Sequence, residues 1–241
     1  MTRVASRLNG AVVPPQNSES TTVPRALPTF ARPELSASPR LLPAFDDEVF
    51  LGPAAESAVL EGAASVELRP WSIEDAGGLQ SAVIDSEDLR TQFGAGDLTT
   101  LDGCVDVIKR HLAVSLPSVR NFAISISGRA VGNVGVSHME RRHDTGWVHY
   151  WLAADVRGHG LATRALASVA TWAFEDRDLF RLELAHGVSN PASCHVATRS
   201  GFRAEGVERL KLKLGRERFD LETHARLRTD PPPQARPLPI R

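Results

Sequence analysis

Gly146-Trp147-Val148-His149-Tyr150-Trp151-Leu152-Ala153-Ala154-Asp155-Val156-Arg157-Gly158-His159-Gly160-Leu161-Ala162-Thr163 decides the fold of this chain. Its first half alternates. Trp147, His149 and Trp151 share one face, and Val148, Tyr150 and Leu152 share the other, which is the period of a strand. Both faces carry bulky groups, so the strand is expected to be covered on both sides. Glycines then interrupt the run at 158 and 160. Beyond them Leu161, Ala165, Leu166, Val169, Trp172 and Ala173 recur at helical spacing. The unit is strand, glycine turn, helix.

That unit has a chemical use. The first N–H groups of a helix have no intrahelical acceptor, and the helix dipole makes that end positive. A phosphate or pyrophosphate can dock there. Gly158 and Gly160 keep side chains out of its way, and Arg157 adds a forked cation. A P-loop would need Gly-Lys-Ser/Thr after the glycines, which is absent. A dinucleotide fingerprint would need a small third residue at 163, where Thr163 stands. A glycine turn with no ligand also fits these residues alone.

Working outward, Arg157-x-x-Gly160-x-Ala162 resembles the Arg/Gln-x-x-Gly-x-Gly/Ala signature of the GNAT N-acetyltransferases. Ser189-Asn190-Pro191-Ala192-Ser193, with Ser200-Gly201-Phe202-Arg203-Ala204-Glu205-Gly206, is similar to the ending of the Rim-type branch. That branch includes the ribosomal-protein N-terminal acetyltransferases. The resemblance runs from about Val66 to Arg228. It implies an α+β fold with a mixed, splayed β-sheet flanked by helices, carrying a disordered N-terminal tail and a short C-terminal one. It also implies acetyl-coenzyme A as co-substrate, held where the sheet opens between the strand near Trp151 and the next strand, at 180–185. Trp151, Leu152 and Ala153 would then pair with the pantetheine as with an added strand. Arg157, Gly158, His159, Gly160, Leu161, Ala162 and Thr163 would hold the pyrophosphate, and Asn190 and Ser193 would add contacts. The Leu152 backbone N–H would stabilise the oxyanion. Ser193 is the candidate donor to the leaving thiolate. Many family members place a tyrosine further along that helix; here the one tyrosine is Tyr150, in the central strand.

The expected acceptor is a primary amine, either a protein or peptide N-terminus or a small molecule such as an antibiotic. Glu183, His149, His186 and His138 are all conceivable bases. A non-catalytic module that senses acetyl-coenzyme A or binds a partner is the competing reading.

The rest of the chain is consistent with one domain. It has 241 residues, 24% charged and 42% hydrophobic, which suits a soluble domain with less ordered additions. The expected division is a Pro/Ser-rich disordered extension over 1–64, a domain over 65–229 and a Pro-rich extended tail over 230–241. A net charge of -1 gives no support to nucleic-acid binding. Cys104 and Cys194 match no disulfide framework and no zinc spacing, and Cys194 reads as a packing residue. His138, Glu140, His143 and Asp144 read as a polar loop, so no metal is expected. There is no membrane-length apolar run and no signal peptide, so the expected setting is cytoplasmic. A homodimer is a candidate assembly.

Local signals fill in the remaining elements. Val66 to Arg69 predicts the first strand. Ser72 or Asp75 caps a helix bearing Ile73, Ala76, Leu79, Val83 and Ile84. Asp85, Glu87 and Asp88 at its end could meet a cationic substrate or simply be solvated. A second helix shows Val105, Ile108 and Leu112 on its inner face. Phe122 to Ile126 and Val131 to His138 predict a hairpin around Gly128. Phe180, Leu182 and Leu184 define another strand. Asn190, Pro191 and Gly201 mark a helix start and stop. A closing hairpin turns at Gly215, with Leu210, Leu212 and Leu214 facing inward.

Overall fold

The computed structural model describes residues 65–86, 88–89 and 97–241. The expected 1–64 extension and Glu87 lie outside the described residues. The strands are β1 (Val66–Arg69), β2 (Ser115–Leu116), β3 (Val119–Ile126), β4 (Arg129–Glu140), β5 (Thr145–Leu152), β6 (Arg181–Gly187), β7 (Arg203–Leu214) and β8 (Glu217–Leu227). The helices are α1 (Ala76–Ile84), α2 (Leu101–Val107), α3 (Leu161–Glu175) and α4 (Pro191–Arg199). One mixed sheet runs β1-β3-β4-β5-β6-β8-β7, with β2 beside β3. Every pairing is antiparallel except β5 with β6.

Helices cover both faces, as the central strand required. On one face α3 buries Leu161, Ala165, Leu166, Val169, Ala170 and Ala173 completely against Val134, Val136, Val148 and Leu182. On the other, Leu79 and Val83 of α1 and Ile108 and Leu112 after α2 pack on Trp71, Ala123 and Ala130. Ile73 and Ile84, expected among the residues of the first helix, are about half exposed. Residues 73–75 form a separate 3₁₀ turn, capped by Ser72, which rotates Ile73 out of the stripe. Asp75 holds the Ser72 N–H at 3.0 Å and takes two bonds from Arg69, at 2.8 and 2.7 Å.

The β3–β4 hairpin turns through Ser127 and Gly128, both at positive φ, as expected. The β7–β8 hairpin departs from the expectation. Leu210 is 55% and Leu214 40% exposed. The register shifts between Glu208 and Leu212, and Leu210 sits at φ 52°. A shift in register turns side chains to the opposite face. Phe180, expected in one strand with Leu182 and Leu184, precedes β6 and is exposed.

The C-terminal stretch is extended, but it is docked. Leu238 is buried, its N–H 2.6 Å and its carbonyl 2.9 Å from Ser168 Oγ. Leu68 N–H donates to Pro239 O at 2.8 Å, and Arg241 N–H donates to Leu68 O at 2.9 Å. The tail thus pairs with the outer edge of β1, aided by an Arg241–Glu67 ion pair at 2.6 Å.

Candidate active site

The sheet opens at its centre. β5 and β6 pair only from Thr145–Arg181 to Trp147–Glu183, while β5 stays paired with β4 up to Leu152. Residues 148–152 therefore border a gap on the β6 side. Ala153 N–H donates to Val131 O at 2.8 Å. By the alternation of an antiparallel ladder, Trp151 and His149 also turn their backbone groups to β4. Val148, Tyr150 and Leu152 turn theirs into the gap. Of the three residues expected to contact a ligand through the backbone, Leu152 faces the gap, whereas Trp151 turns its backbone groups to β4, and Ala153 gives its N–H to Val131 O on β4 and its carbonyl to Val156 N–H at 3.2 Å.

The glycine turn closes one end of the gap. Gly158 and Gly160 have φ of 79° and 69°, left-handed values that glycine adopts without strain. No atom lies within 4 Å of where a Gly158 Cβ would stand. His159 is exposed, Gly160 caps α3, and Leu161, Ala162 and Thr163 form its first turn, which carries no acidic residue. The free N–H groups of that turn point out of the helix start. The Arg157 guanidinium is turned back along the turn. Its Nε and Nη2 donate to Leu152 O at 3.1 and 2.9 Å, and Nη2 pairs with Asp88 at 2.9 Å. Asp88, expected to be solvated or to meet a cationic substrate, thus meets Arg157.

The start of α4 forms the opposite wall. Asn190 Oδ1 accepts from Ser193 N–H at 3.0 Å, Pro191 occupies the first helical position, and Gly201 ends the helix at φ 84°. Ser193 is half-buried. The Tyr150 hydroxyl donates to Ser193 O at 3.3 Å. Burial pushes its phenol up to about 12, so it keeps its proton at neutral pH. The chain's one tyrosine therefore reaches the first turn of α4 from across the gap. The alternation of β5 placed Tyr150 on the Leu152 face; nothing in the sequence gave its reach.

Beside the gap lies a pocket of 290 Å³ lined by His111, Leu112, Asn121, Asn133, His149, Tyr150 and Trp151. Its His111 and Leu112 come from a widened π turn, Ile108–Leu112, closed by Ala113 N–H to Ile108 O at 2.7 Å. A buried chain of amides orders the floor. Trp71 Nε1 donates to Asn133 Oδ1 at 2.8 Å, and Asn133 Nδ2 donates to Asn121 Oδ1 at 3.2 Å. Asn121 Nδ2 donates to His111 O at 3.0 Å. Asn121 Oδ1 also meets His149 Nε2 at 2.8 Å. An amide oxygen only accepts, so Nε2 carries the imidazole proton. Burial first, and the nearby His138 charge second, lower the His149 pKa to about 4, against a backbone hydrogen bond at Trp147. His149 is neutral at neutral pH.

Of the four candidate bases, His149 is the one that lines the pocket. Glu183 is bound by Arg181 at 2.6 Å. His138 is exposed, 3.1 Å from Ser137 Oγ. His186 is buried against His224. The polar loop is a capped turn, with Glu140 accepting from the N–H groups of Arg142 and His143 at 2.9 Å each.

A splayed parallel pair, a glycine turn at a helix start and a pocket on the far side of the same strand form one arrangement. An acetyltransferase (GNAT) domain model matches residues 65–203. The chain belongs to the GNAT acetyltransferase family. The GNAT match stops at the first residue of β7, so the closing hairpin and docked tail lie beyond it. The ribosomal-protein-serine acetyltransferase of Escherichia coli (strain K12) is 27% identical over 106 residues. That match covers 44% of this chain and 59% of that protein, under two thirds of its length. RimJ of Mycobacterium smegmatis, solved in complex with CoA-disulfide, superposes with a TM-score of 0.59 at 24% identity, covering 69% of this chain and 86% of that one. RimL, the ribosomal L7/L12 alpha-N-protein acetyltransferase, solved in complex with coenzyme A, gives 0.61 at 19% identity, covering 70% and 97%. At these identities the structural likeness establishes the GNAT fold. Among the described residues no helix is long and apolar enough to cross a membrane.

Proposed function

We propose that this GNAT domain moves the acetyl group of acetyl-coenzyme A to the α-amino group of a protein or peptide N-terminus. The observation that carries the reading is the gap at 148–152, with the Leu152 N–H facing it, the glycine turn at one end and the carboxylate-free pocket behind. The pyrophosphate sits on the 158–163 turn and the pantetheine runs along the free edge of β5. The amine nitrogen enters from the pocket and attacks the thioester carbon. The Leu152 N–H holds the developing oxyanion, in a backbone position fixed by the Arg157 grip on its carbonyl. As the carbon–sulfur bond breaks, the thiolate takes a proton from a hydroxyl at the α4 start, and the proton lost by the attacking amine returns to that hydroxyl through water. Tyr150 is better placed for this than the Ser193 side chain, because its protonated phenol already spans the gap.

The pocket chemistry favours an α-amine over a lysine. His149 is a weak base, and the lining holds no carboxylate. An α-amine, with a pKa of about 7.7–8.0, is partly neutral at pH 7, whereas a lysine near 10.4 carries a handicap of about 3 to 4 kcal/mol. The names of the relatives support a ribosomal-protein acceptor. Two unpaired cysteines suit a reducing, cytoplasmic setting.

The test is competition between two peptide sets, one with free N-termini and one N-blocked with free lysines, read by mass spectrometry. Acetyl groups confined to the first residue are expected. Preferential lysine acetylation would overturn the acceptor assignment.

A further inference from the structure

Four side chains that the proposed reaction does not use converge at the first turn of α4. His186 comes from β6, Cys194 from the first turn of α4, and Glu222 and His224 from β8. Their ligand atoms all lie within 4.8 Å of one another. The two Nε2 atoms are 3.0 Å apart, and Glu222 Oε2 is 3.3 Å from each. His224 is fully buried and His186 nearly so.

The orientation of the rings is the informative part. His186 Nδ1 lies 2.9 Å from Gly187 O, and His224 Nδ1 lies 3.3 Å from Phe202 O. A carbonyl only accepts, so each ring carries its proton on Nδ1. Both Nε2 atoms then present lone pairs to each other and to a carboxylate. Cys194 gives its thiol hydrogen to Glu222, but the two Nε2 lone pairs face each other at 3.0 Å, a repulsion that a cation held by all four groups relieves. Backbone carbonyls on the outer nitrogens are also the arrangement that orients metal-binding histidines.

We propose that His186, Cys194, Glu222 and His224 bind one zinc ion. One thiolate, two imidazoles and one carboxylate are zinc's usual donors. A tetrahedron with bonds of about 2.0–2.3 Å places its ligand atoms roughly 3.3–3.6 Å apart, so small side-chain rotations suffice. Binding releases the Cys194 thiol proton to solvent and forms the zinc–thiolate bond. Four protein ligands close the coordination sphere, so the ion is structural. It ties the first turn of α4, which carries Ser193 and its Tyr150 contact, to β6 and β8. The ligands stand at 186, 194, 222 and 224, on three separate elements, and that is why no zinc spacing marks them in the sequence.

The test uses the full chain. Zinc is measured by elemental analysis after purification without chelators, and the metal-free protein is titrated with Co²⁺ and Zn²⁺ in the absence of coenzyme. One equivalent of metal is expected, with a thiolate-to-cobalt charge-transfer band. Cys194→Ser should abolish that band and weaken zinc binding by more than the roughly 10–100-fold that loss of an outer-shell partner costs. Glu222→Gln should retain the band and bind more weakly. Both replacements are at partly exposed positions, which avoids unfolding through His224. A pair of histidines sharing a proton would give substoichiometric metal, or cobalt binding with no thiolate band unchanged by Cys194→Ser, and either result overturns the site. Coenzyme binding is read separately, so the zinc site and the acetyltransfer reading can fail independently.

Discussion

The Tyr150 hydroxyl donates to the carbonyl of Ser193 at 3.3 Å, joining the two walls of the opened sheet. One wall is the strand whose N–H groups face the gap. The other is a helix start fixed by its own Asn190 cap. A single side chain thus sets the width of the gap and leaves a protonated phenol inside it.

Removing that hydroxyl separates the two candidate proton donors. Tyr150→Phe keeps the ring and its packing, and should lower kcat about 10²-fold, the lower end of what acid catalysis contributes. Ser193→Ala should lower it by less than about threefold, since the carbonyl and N–H of Ser193 remain. Steady-state kinetics with one peptide acceptor decides the matter. The reverse ranking would return the role to Ser193.

The central unit was legible because two periods meet in it. Alternation from Trp147 to Leu152 and helical spacing from Leu161 to Ala173 admit one reading, and the glycines between them fix the turn. The α4 boundaries were equally plain, because Asn190, Pro191 and Gly201 act locally. Features set by distant contacts were not legible. The bulge near Leu210 exposes leucines that the alternation had placed inside. The π turn brings His111 to the pocket, although a regular helical stripe was expected there. Arg157 reads as a phosphate ligand until its partners, Leu152 O and Asp88, are seen. The convergence of His186, Cys194, Glu222 and His224 depends on β8 returning beside β6.

His149 makes stability depend on pH. Its pKa is lowered from the usual 6.5 to about 4 in the folded chain. Between those values the unfolded chain binds the extra proton, so the contribution is complete above pH 6.5 and is lost as pH falls towards 4. Two and a half units correspond to about 3 kcal/mol. His149→Gln retains a donor for Asn121 and removes the titration. Denaturant unfolding at several pH values should show a flatter acid slope for the variant than for the parent. Identical slopes would mean that folding does not lower the His149 pKa.

Leu238 should anchor the tail. Leu238→Ala removes a fully buried side chain at about 2–3 kcal/mol, the lower end for such sites because the tail can adjust. Guanidinium unfolding should show a lower midpoint with little change in slope. An unchanged midpoint would mean that residues 230–241 are solvated and add nothing to β1.

The most direct test of the account is calorimetric titration of the full chain with acetyl-coenzyme A, with NAD and ATP as controls, alongside Gly158→Trp. The Gly158 site has open space around it, so the indole fills the phosphate seat, while the left-handed φ of 79° adds backbone strain confined to the turn. Circular dichroism checks that the variant is folded. Selective, micromolar-range binding of acetyl-coenzyme A by the parent, lost in folded Gly158→Trp, is the predicted result. No binding by the parent, equal binding of NAD or ATP, or full affinity in the variant would contradict the placement of the coenzyme on the 158–163 turn.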